Sequence, residues 1–154
     1  MLNEQKAELS DLEIAKKSLL GHSIALSKNG IVLTNDKRGV MPMLEFISSK
    51  TDLKGYTVAD KIVGKAAASL FVLAQVKEVY AEVASESAKE YLENYSIKFS
   101  CGKLIKNIIN RSGTGICPME EAVLALTSPK ECYKAILKKL EHLNALQKST
   151  NSLL

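Results

Sequence analysis

The sequence predicts a three-layer α/β/α sandwich in which a mixed sheet begins with an antiparallel hairpin and continues with parallel strands. Asn29-Gly30 stands between two runs of strand-forming residues, and this dipeptide is typical of a two-residue hairpin turn. Farther along, the apolar runs "VKEVYAEVAS" and "SIKFS" flank the helix-like segment "ESAKEYLENY". A strand–helix–strand order predicts two parallel strands joined by a crossover helix.

The length and composition are those of one globular domain. The chain has 154 residues, which favours a single domain over residues 1–154. Hydrophobic residues make up 46% and charged residues 25%, so the chain can build a core. Because aromatic residues reach only 5% and tryptophan is absent, that core is predicted to be aliphatic.

The charge distribution and the cysteines indicate which binding partners and which cellular compartment to expect. The net charge of +4 comes from scattered lysines, without the dense basic stripe and stacking aromatics that favour nucleic acid. No apolar run approaches the roughly 18 residues of a membrane span, so no membrane partner is predicted. The charged start "MLNEQKAELSDLE" is unlike a signal peptide, and the three cysteines form no C-x-x-C pair. We therefore expect a cytoplasmic protein with reduced thiols.

The first elements are short. An amphipathic N-terminal helix is predicted within the first 20 residues, from Asn3 to Leu20. The hairpin strands are placed at about Ser23–Ser27 and Ile31–Asn35. The segment "VMPMLEFISSK" is predicted to form a short helix with Pro42 in its first turn.

One long helix is predicted from Val58 to about Gln75. Its middle, "IVGKAAASLFVLA", is apolar almost all round, which is typical of the most buried helix of a domain. Thr57 and Asp60 have the spacing of a capping box with aspartate in place of glutamate. Asp60 is therefore expected first of all to cap this helix.

The second half continues with alternating elements. Ser85 is expected to cap the helix that follows the first parallel strand. Residues 104–110, "LIKNIIN", fit either a helix or a short edge strand. Two helices, Pro118–Leu126 and Pro129–Leu146, complete the fold, and residues 147–154 are expected to fray.

Two helix starts of the same pattern make Cys117 a candidate. "SPKE" at residues 128–131 is an ordinary start, with serine as the cap and proline at the first helical position. "CPME" at residues 117–120 has cysteine in that place. A thiol is a weak cap, but the positive end of a helix dipole favours the nucleophilic thiolate. Cys117 is therefore a candidate nucleophile or ligand contact, and the commoner alternative is a small buried residue beneath a loop.

The two arginines are candidates for gripping an anion. Lysine is the default cation, since it outnumbers arginine 19 to 2. Arg38 in "DKRGVMP" and Arg111 in "NRSGTG" both stand in flexible segments just ahead of a predicted helix. A guanidinium can hold a carboxylate or phosphate with two parallel hydrogen bonds. The alternative is that one or both arginines hold a loop carbonyl or a structural aspartate.

Lys61 and Lys65 form a second cationic candidate. On the predicted helix they are four residues apart and share a face in its first turns, where the helix dipole disfavours cations. A bound anion would offset that cost. The commoner alternative is that both lysines extend to solvent.

No metal site and no cofactor are predicted. His22 and His142 lie near opposite ends of the chain, and neither belongs to an H-x-E or H-x-x-x-H pattern. The segment "GKAAA" lacks the remaining residues of a P-loop.

Four segments together resemble a small uncharacterised prokaryotic family known as a domain of unknown function. They are "RGVMPMLEF", "VADKIVGKAAA", "VKEVYAEVASE" and the most specific, "INRSGTGICPMEEAV". The resemblance covers about Ser23 to Leu140. Members of that family are similar to divergent relatives of the cytidine deaminase fold, so the resemblance implies a deaminase-like three-layer sandwich that begins with a hairpin.

The resemblance also implies a site without zinc. Deaminases of that superfamily hold zinc with H-x-E or C-x-E at one helix start and P-C-x-x-C at the next. Here the two starts are predicted at Thr57–Lys61 and Ser85–Ala88, and neither offers those ligands. What the resemblance leaves is a pocket at helix N-termini. Its candidate residues, besides Cys117, are Arg38, Asp60, Lys61, Lys65, Asn110, Arg111, Gly113, Gly115 and Glu120.

Three functions follow as hypotheses. The first is a zinc-free protein that binds a small anionic ligand, either a nucleotide or a phosphorylated or carboxylated metabolite. The second is an enzyme with Cys117 as nucleophile, for which the sequence offers no evident general base. The third is a structural or regulatory protein that acts as a homodimer, with the last helix contributing to the interface.

Overall fold

The computed structural model describes residues 8–152, with side chains described for residues 8–147. Its core is one five-stranded sheet in the order β2-β1-β3-β4-β5. The strands are β1 Ile24–Lys28, β2 Ile31–Asn35, β3 Thr57–Val63, β4 Glu78–Ser85 and β5 Lys98–Ile105. The helices are α1 Asp11–Ser18, α2 Met41–Ser48, α3 Lys65–Leu73, α4 Glu86–Asn94, α5 Pro118–Val123 and α6 Pro129–Ser152.

The predicted hairpin is confirmed. β1 and β2 pair antiparallel from Ile24 opposite Asn35 to Lys28 opposite Ile31. Asn29 and Gly30 both have positive φ, +49° and +85°, as the two central residues of a type I′ turn require. The hairpin thus forms one edge of the sheet.

The mixed sheet and the parallel crossover are also confirmed. β1 pairs antiparallel with β3, whereas β3, β4 and β5 run parallel to one another. α4 connects β4 to β5, and its N-cap is Ser85, whose Oγ accepts a hydrogen bond from the Ala88 N–H at 3.1 Å. The chain therefore has an α/β fold with a five-stranded mixed sheet.

The long helix predicted from Val58 to Gln75 is wrong in its first half. Thr57–Val63 is the central strand β3, and α3 begins only at Lys65. A strand buried on both faces has an apolar run like that of a buried helix, and the periodicity did not separate the two. The distinguishing feature was composition: four of the seven residues of "TVADKIV" are β-branched, and a glycine follows.

Helices pack on both faces of the sheet, because successive residues of the central strand point to opposite sides. Val58 belongs to the larger hydrophobic cluster, together with Leu70 of α3. Its neighbour Ala59 packs instead with Ala15 and Leu19 of α1. The larger cluster is mainly aliphatic, as the composition predicted.

Several element boundaries differ from the predictions. α1 begins at Asp11, because Ser10 caps it by accepting a hydrogen bond from the Glu13 N–H at 3.1 Å; the predicted start at Asn3 lies outside the described residues. Residues 104–105 complete β5, which resolves the open choice there in favour of a strand.

The two C-terminal helices also differ from their predicted lengths. α5 ends at Val123, three residues before the predicted end. α6 continues to Ser152 rather than ending at Leu146, since no glycine or proline stops it. Among the helices of residues 8–152, none has both the length and the apolar character needed to span a membrane.

Candidate functional site

A cavity of about 460 Å³ lies at the carboxyl end of β3. Residues of β3, α2, α3 and α5, together with the loop that precedes α5, line it. In open α/β sheets, ligands bind beyond the carboxyl ends of the parallel strands, and the volume is within the range of small-molecule sites. The position and size of the cavity are therefore those of a binding site.

The walls of the cavity are mostly apolar. They include Met41 and Pro42 at the start of α2, Ala66 on α3, Met119 on α5 and Leu140 on α6. Sequence reasoning did not single out these side chains, because apolar residues on amphipathic helices look the same whether they face a core or a cavity. Such walls favour the non-polar body of a ligand.

Three cations line the cavity and are exposed to solvent: Arg38, Lys61 and Arg111, here called the cationic rim. They come from three separate segments, the loop before α2, the end of β3 and the loop before α5. Across the part of the chain that the structure describes, none of them forms an ion pair within 4 Å. Their charges are therefore available to an anion in the cavity.

The loop that carries Arg111 is closed by a short antiparallel ladder. The Cys117 N–H donates to the Ile108 carbonyl at 3.0 Å, and the Asn110 N–H donates to the Gly115 carbonyl at 2.8 Å. Ile109 and Ile116 form a bridge between these two bonds. The glycine-rich segment is thus a defined turn.

The side chain of Asn110 organises this turn. Its Oδ1 accepts from the Thr114 N–H at 3.0 Å, and its Nδ2 donates to the Thr114 Oγ1 at 3.2 Å. Gly113 has a φ of +71°, which disfavours other residues. Asn110, Gly113 and Gly115, predicted as ligand contacts, lie outside the lining of the cavity and shape the loop that positions Arg111.

Glu120 lines the cavity, and its carboxyl group caps α3. Oε1 accepts from the Lys65 N–H and Oε2 from the Ala66 N–H, both at 2.7 Å. These donors are the first N–H groups of the helix, which lack intrahelical partners. The first two N–H groups of α3 are therefore satisfied by one side chain, which lies 55 residues from Lys65 along the chain.

Gly64 permits this arrangement. A Cβ atom at position 64 would lie 2.1 Å from Glu120 Oε1, closer than any real contact. Burial raises the pKa of Glu120, and the hydrogen bonds from the Ala66 and Lys65 N–H groups, with the charge of Lys65, oppose that rise. Glu120 was predicted as a ligand contact, and its observed partners belong to α3.

Asp60 is the second buried carboxyl group of the cavity. It is 8% exposed, and it lies on β3 in the register position opposite Ile24 and Ala81. Asp60 therefore does not cap a helix, contrary to the prediction, because the helix was misplaced. It forms no ion pair within residues 8–152.

The environment of Asp60 favours its protonated form. Burial raises the pKa of Asp60 to about 8. Hydrogen bonds from the backbone N–H groups of Lys61 and Ile62 oppose the rise, and the negative charge of Glu82 adds to it. At neutral pH the cavity thus contains a carboxylic acid that can both donate and accept a hydrogen bond.

Lys65 lies apart from the cationic rim. Its Nζ donates to the Leu124 carbonyl at 3.2 Å and lies 6.0 Å from the ring centroid of Tyr91. The predicted shared helix face of Lys61 and Lys65 does not exist, because Lys61 belongs to a strand. Lys65 instead ties the end of α5 to α3.

Cys117 is half-buried and lines the cavity directly before α5. Its side chain makes no capping hydrogen bond. His22 pairs with Asp36 at 2.6 Å, and neither histidine is among the residues that line the cavity. The structure thus places the thiol at the site without a neighbouring imidazole.

The helix starts do not fit the zinc ligands of deaminases. The helices after β3 and β4 begin with Gly64-Lys65-Ala66 and Ser85-Glu86-Ser87, so the first start lies farther along the chain than predicted. Neither contains histidine or cysteine. No cluster of three or more His, Cys, Asp or Glu side chains suited to a metal ion occurs among the described residues.

Comparisons with known proteins place the chain in a family. Residues 14–140 match the family described as "Domain of unknown function (DUF1893)". The chain belongs to the DUF1893 family. A crystal structure of a DUF1893 family protein from Thermotoga maritima is similar to it, with 25% sequence identity and a TM-score of 0.74 over 90% of this chain and 97% of that one. No curated protein matches.

Proposed function

We propose that this DUF1893 protein binds a small anionic molecule in the cavity, of the class of nucleotides or of phosphorylated or carboxylated metabolites. The observation that carries the proposal is the meeting of Arg38, Lys61 and Arg111 at one cavity from three separate segments. Cations without ion-pair partners around an apolar hollow are complementary to a ligand with an anionic group and a non-polar body.

The geometry also changes where the anion is expected. Glu120 accepts hydrogen bonds from the Lys65 and Ala66 N–H groups of α3, so these two groups do not serve a ligand. The anion is therefore assigned to the cationic rim, with guanidinium groups as the main donors. The ladder from Ile108 to Cys117 fixes the backbone of the loop that carries Arg111, so little loop ordering is required on binding.

We also propose that the fold is a divergent relative of the cytidine deaminase fold. The support is the sheet that begins with an antiparallel hairpin, continues with three parallel strands and carries helices on both faces. The two helix starts lack zinc ligands, so no zinc-dependent step is assigned to this chain. Binding, rather than deamination, is what the cavity supports.

A thermal-shift screen tests the binding proposal. Nucleotides, sugar phosphates and small carboxylates are added to the wild type and to Arg111→Ala, and melting temperatures are compared. A ligand present at about 100 times its Kd stabilises the folded state by about 2.7 kcal/mol. For a chain of this size each kcal/mol corresponds to about 2–4 °C, so we expect a rise of several degrees that is lost in the variant.

Lys106→Ala is the matched control, because Lys106 is an exposed cation that precedes the same loop and does not line the cavity. It changes the net charge by the same amount and should keep the shift. The proposal is wrong if no anion stabilises the wild type, or if Arg111→Ala keeps the whole shift.

A further inference from the structure

The cavity is lined by charged groups of both signs. The cationic rim is exposed, whereas Asp60 and Glu120 are both 8% exposed. Glu120 has its acceptors occupied by the N–H groups of α3. Asp60 is therefore the carboxyl group that remains for a ligand.

A buried carboxyl group without a cation destabilises the ionised form of the folded protein, because desolvation is not offset by an opposite charge. The two backbone N–H groups at Asp60 offset only part of that cost, since burial still raises its pKa to about 8. The charged group that contributes to this shift is Glu82, which has the same sign and raises the pKa further. Such a group in a cavity is a common mark of a functional site.

Resting on the proposed function, we infer that the ligand is zwitterionic: its anionic group lies at the cationic rim and a protonated amine binds the carboxylate of Asp60. An ammonium group would provide the opposite charge that Asp60 lacks, and Asp60 would release its proton as the amine binds. The apolar walls, which include Met41 and Met119, would contact the carbon skeleton between the two charges. Asp60 is thus the specificity-determining residue.

An anion without an amine would bind only to the cationic rim. It would leave Asp60 in its protonated form, which can offer a ligand a hydrogen bond but no opposite charge. Because a hydrogen bond between charged partners is about twice as strong as a neutral one, we expect the amine to raise affinity by about tenfold or more.

Isothermal titration calorimetry with matched pairs tests this inference. The pairs are glucosamine 6-phosphate with glucose 6-phosphate, phosphoethanolamine with ethyl phosphate, and 5-aminopentanoate with pentanoate. In the wild type the amino member of at least one pair should bind about tenfold or more tighter than its partner. In Asp60→Asn the two members should bind equally, because the rim is unchanged.

Glu82→Gln is the control, because it makes the same change from carboxyl to amide in an exposed side chain on the neighbouring strand. It should keep the preference for the amino member. Equal binding within every pair, or a preference that persists in Asp60→Asn, overturns the inference while the proposed function stands. The inference is likewise overturned, and the proposed function stands, if an amine-free anion from the thermal-shift screen binds and no amino compound does. If no compound of either experiment binds, both proposals are overturned.

Discussion

The two buried carboxyl groups of the cavity resemble each other in exposure and differ in their partners. Glu120 and Asp60 are each 8% exposed. Burial raises the pKa of both groups. At Glu120 the Ala66 and Lys65 N–H groups and the charge of Lys65, all from a distant element, oppose the rise. At Asp60 only backbone N–H groups of its own strand oppose it, and the charge of Glu82 adds to it. One carboxyl group therefore ties two elements together, and the other has partners only on its own strand.

Removal of the Glu120 side chain should cause the largest loss of stability. Glu120→Ala leaves the Lys65 and Ala66 N–H groups of α3 without acceptors in a mostly buried position. Each lost bond to a charged group costs about 1.5–3 kcal/mol, so the free energy of unfolding should fall by about 3 kcal/mol. Urea denaturation measures this change. A decrease below about 1 kcal/mol would show that solvent replaces the carboxyl group.

Asp60→Asn should change stability in the opposite direction. The folded-state pKa of Asp60, about 8, lies above its ordinary value of 3.8. The folded protein therefore keeps the proton to higher pH than the unfolded chain, and the free energy of unfolding falls as pH rises from about 4 to about 8. Asparagine cannot ionise, so the free energy of unfolding of the variant should not contain this decrease with pH.

We accordingly expect Asp60→Asn to be more stable than the wild type at pH 8 by at least about 1 kcal/mol, or about 2–4 °C in melting temperature. The difference should shrink towards pH 4. Melting curves at pH 5, 7 and 8.5 would measure this difference. Glu82→Gln serves as the control for the change from carboxyl to amide. A variant that is less stable than the wild type at every pH would mean that the carboxylate of Asp60 supports the fold, as that of Glu120 does.

The smallest effect on stability is expected at the rim. Arg111 is exposed and forms no ion pair within the described chain, so Arg111→Ala should change the free energy of unfolding by less than about 0.5 kcal/mol. Its effect should be confined to the ligand-induced shift. These variants would thus separate a structural role of Glu120, a role of Asp60 in specificity and a role of the cationic rim in anion binding.

Local features of the sequence predicted much of the fold. Asn29-Gly30 indicated the hairpin, and Ser85 indicated the start of α4, because both depend on residues within a few positions of each other. β3 was misassigned, since its burial on both faces removed the alternation that identifies a strand. The β-branched residues and Gly64 were the features that opposed a helix there.

Several residues of the candidate site could be predicted from the sequence, but the contacts that they make could not. Arg38, Lys61 and Arg111 were proposed from composition and position, and the structure brings them to one cavity. The bond between Glu120 and α3 spans 55 residues, and no local pattern encodes such a contact. The difference between Glu120 and Asp60 therefore required the structure.

The most direct test of this account is an NMR titration of the Asp60 side-chain carboxyl carbon in the protein without ligand, with Asp60→Asn used to assign the signal. We expect a midpoint of about 8, because the group is buried and forms no ion pair within residues 8–152. A midpoint near the ordinary value of 3.8 would show that water or a positive charge already satisfies Asp60. No group would then be left in the cavity to select an amine.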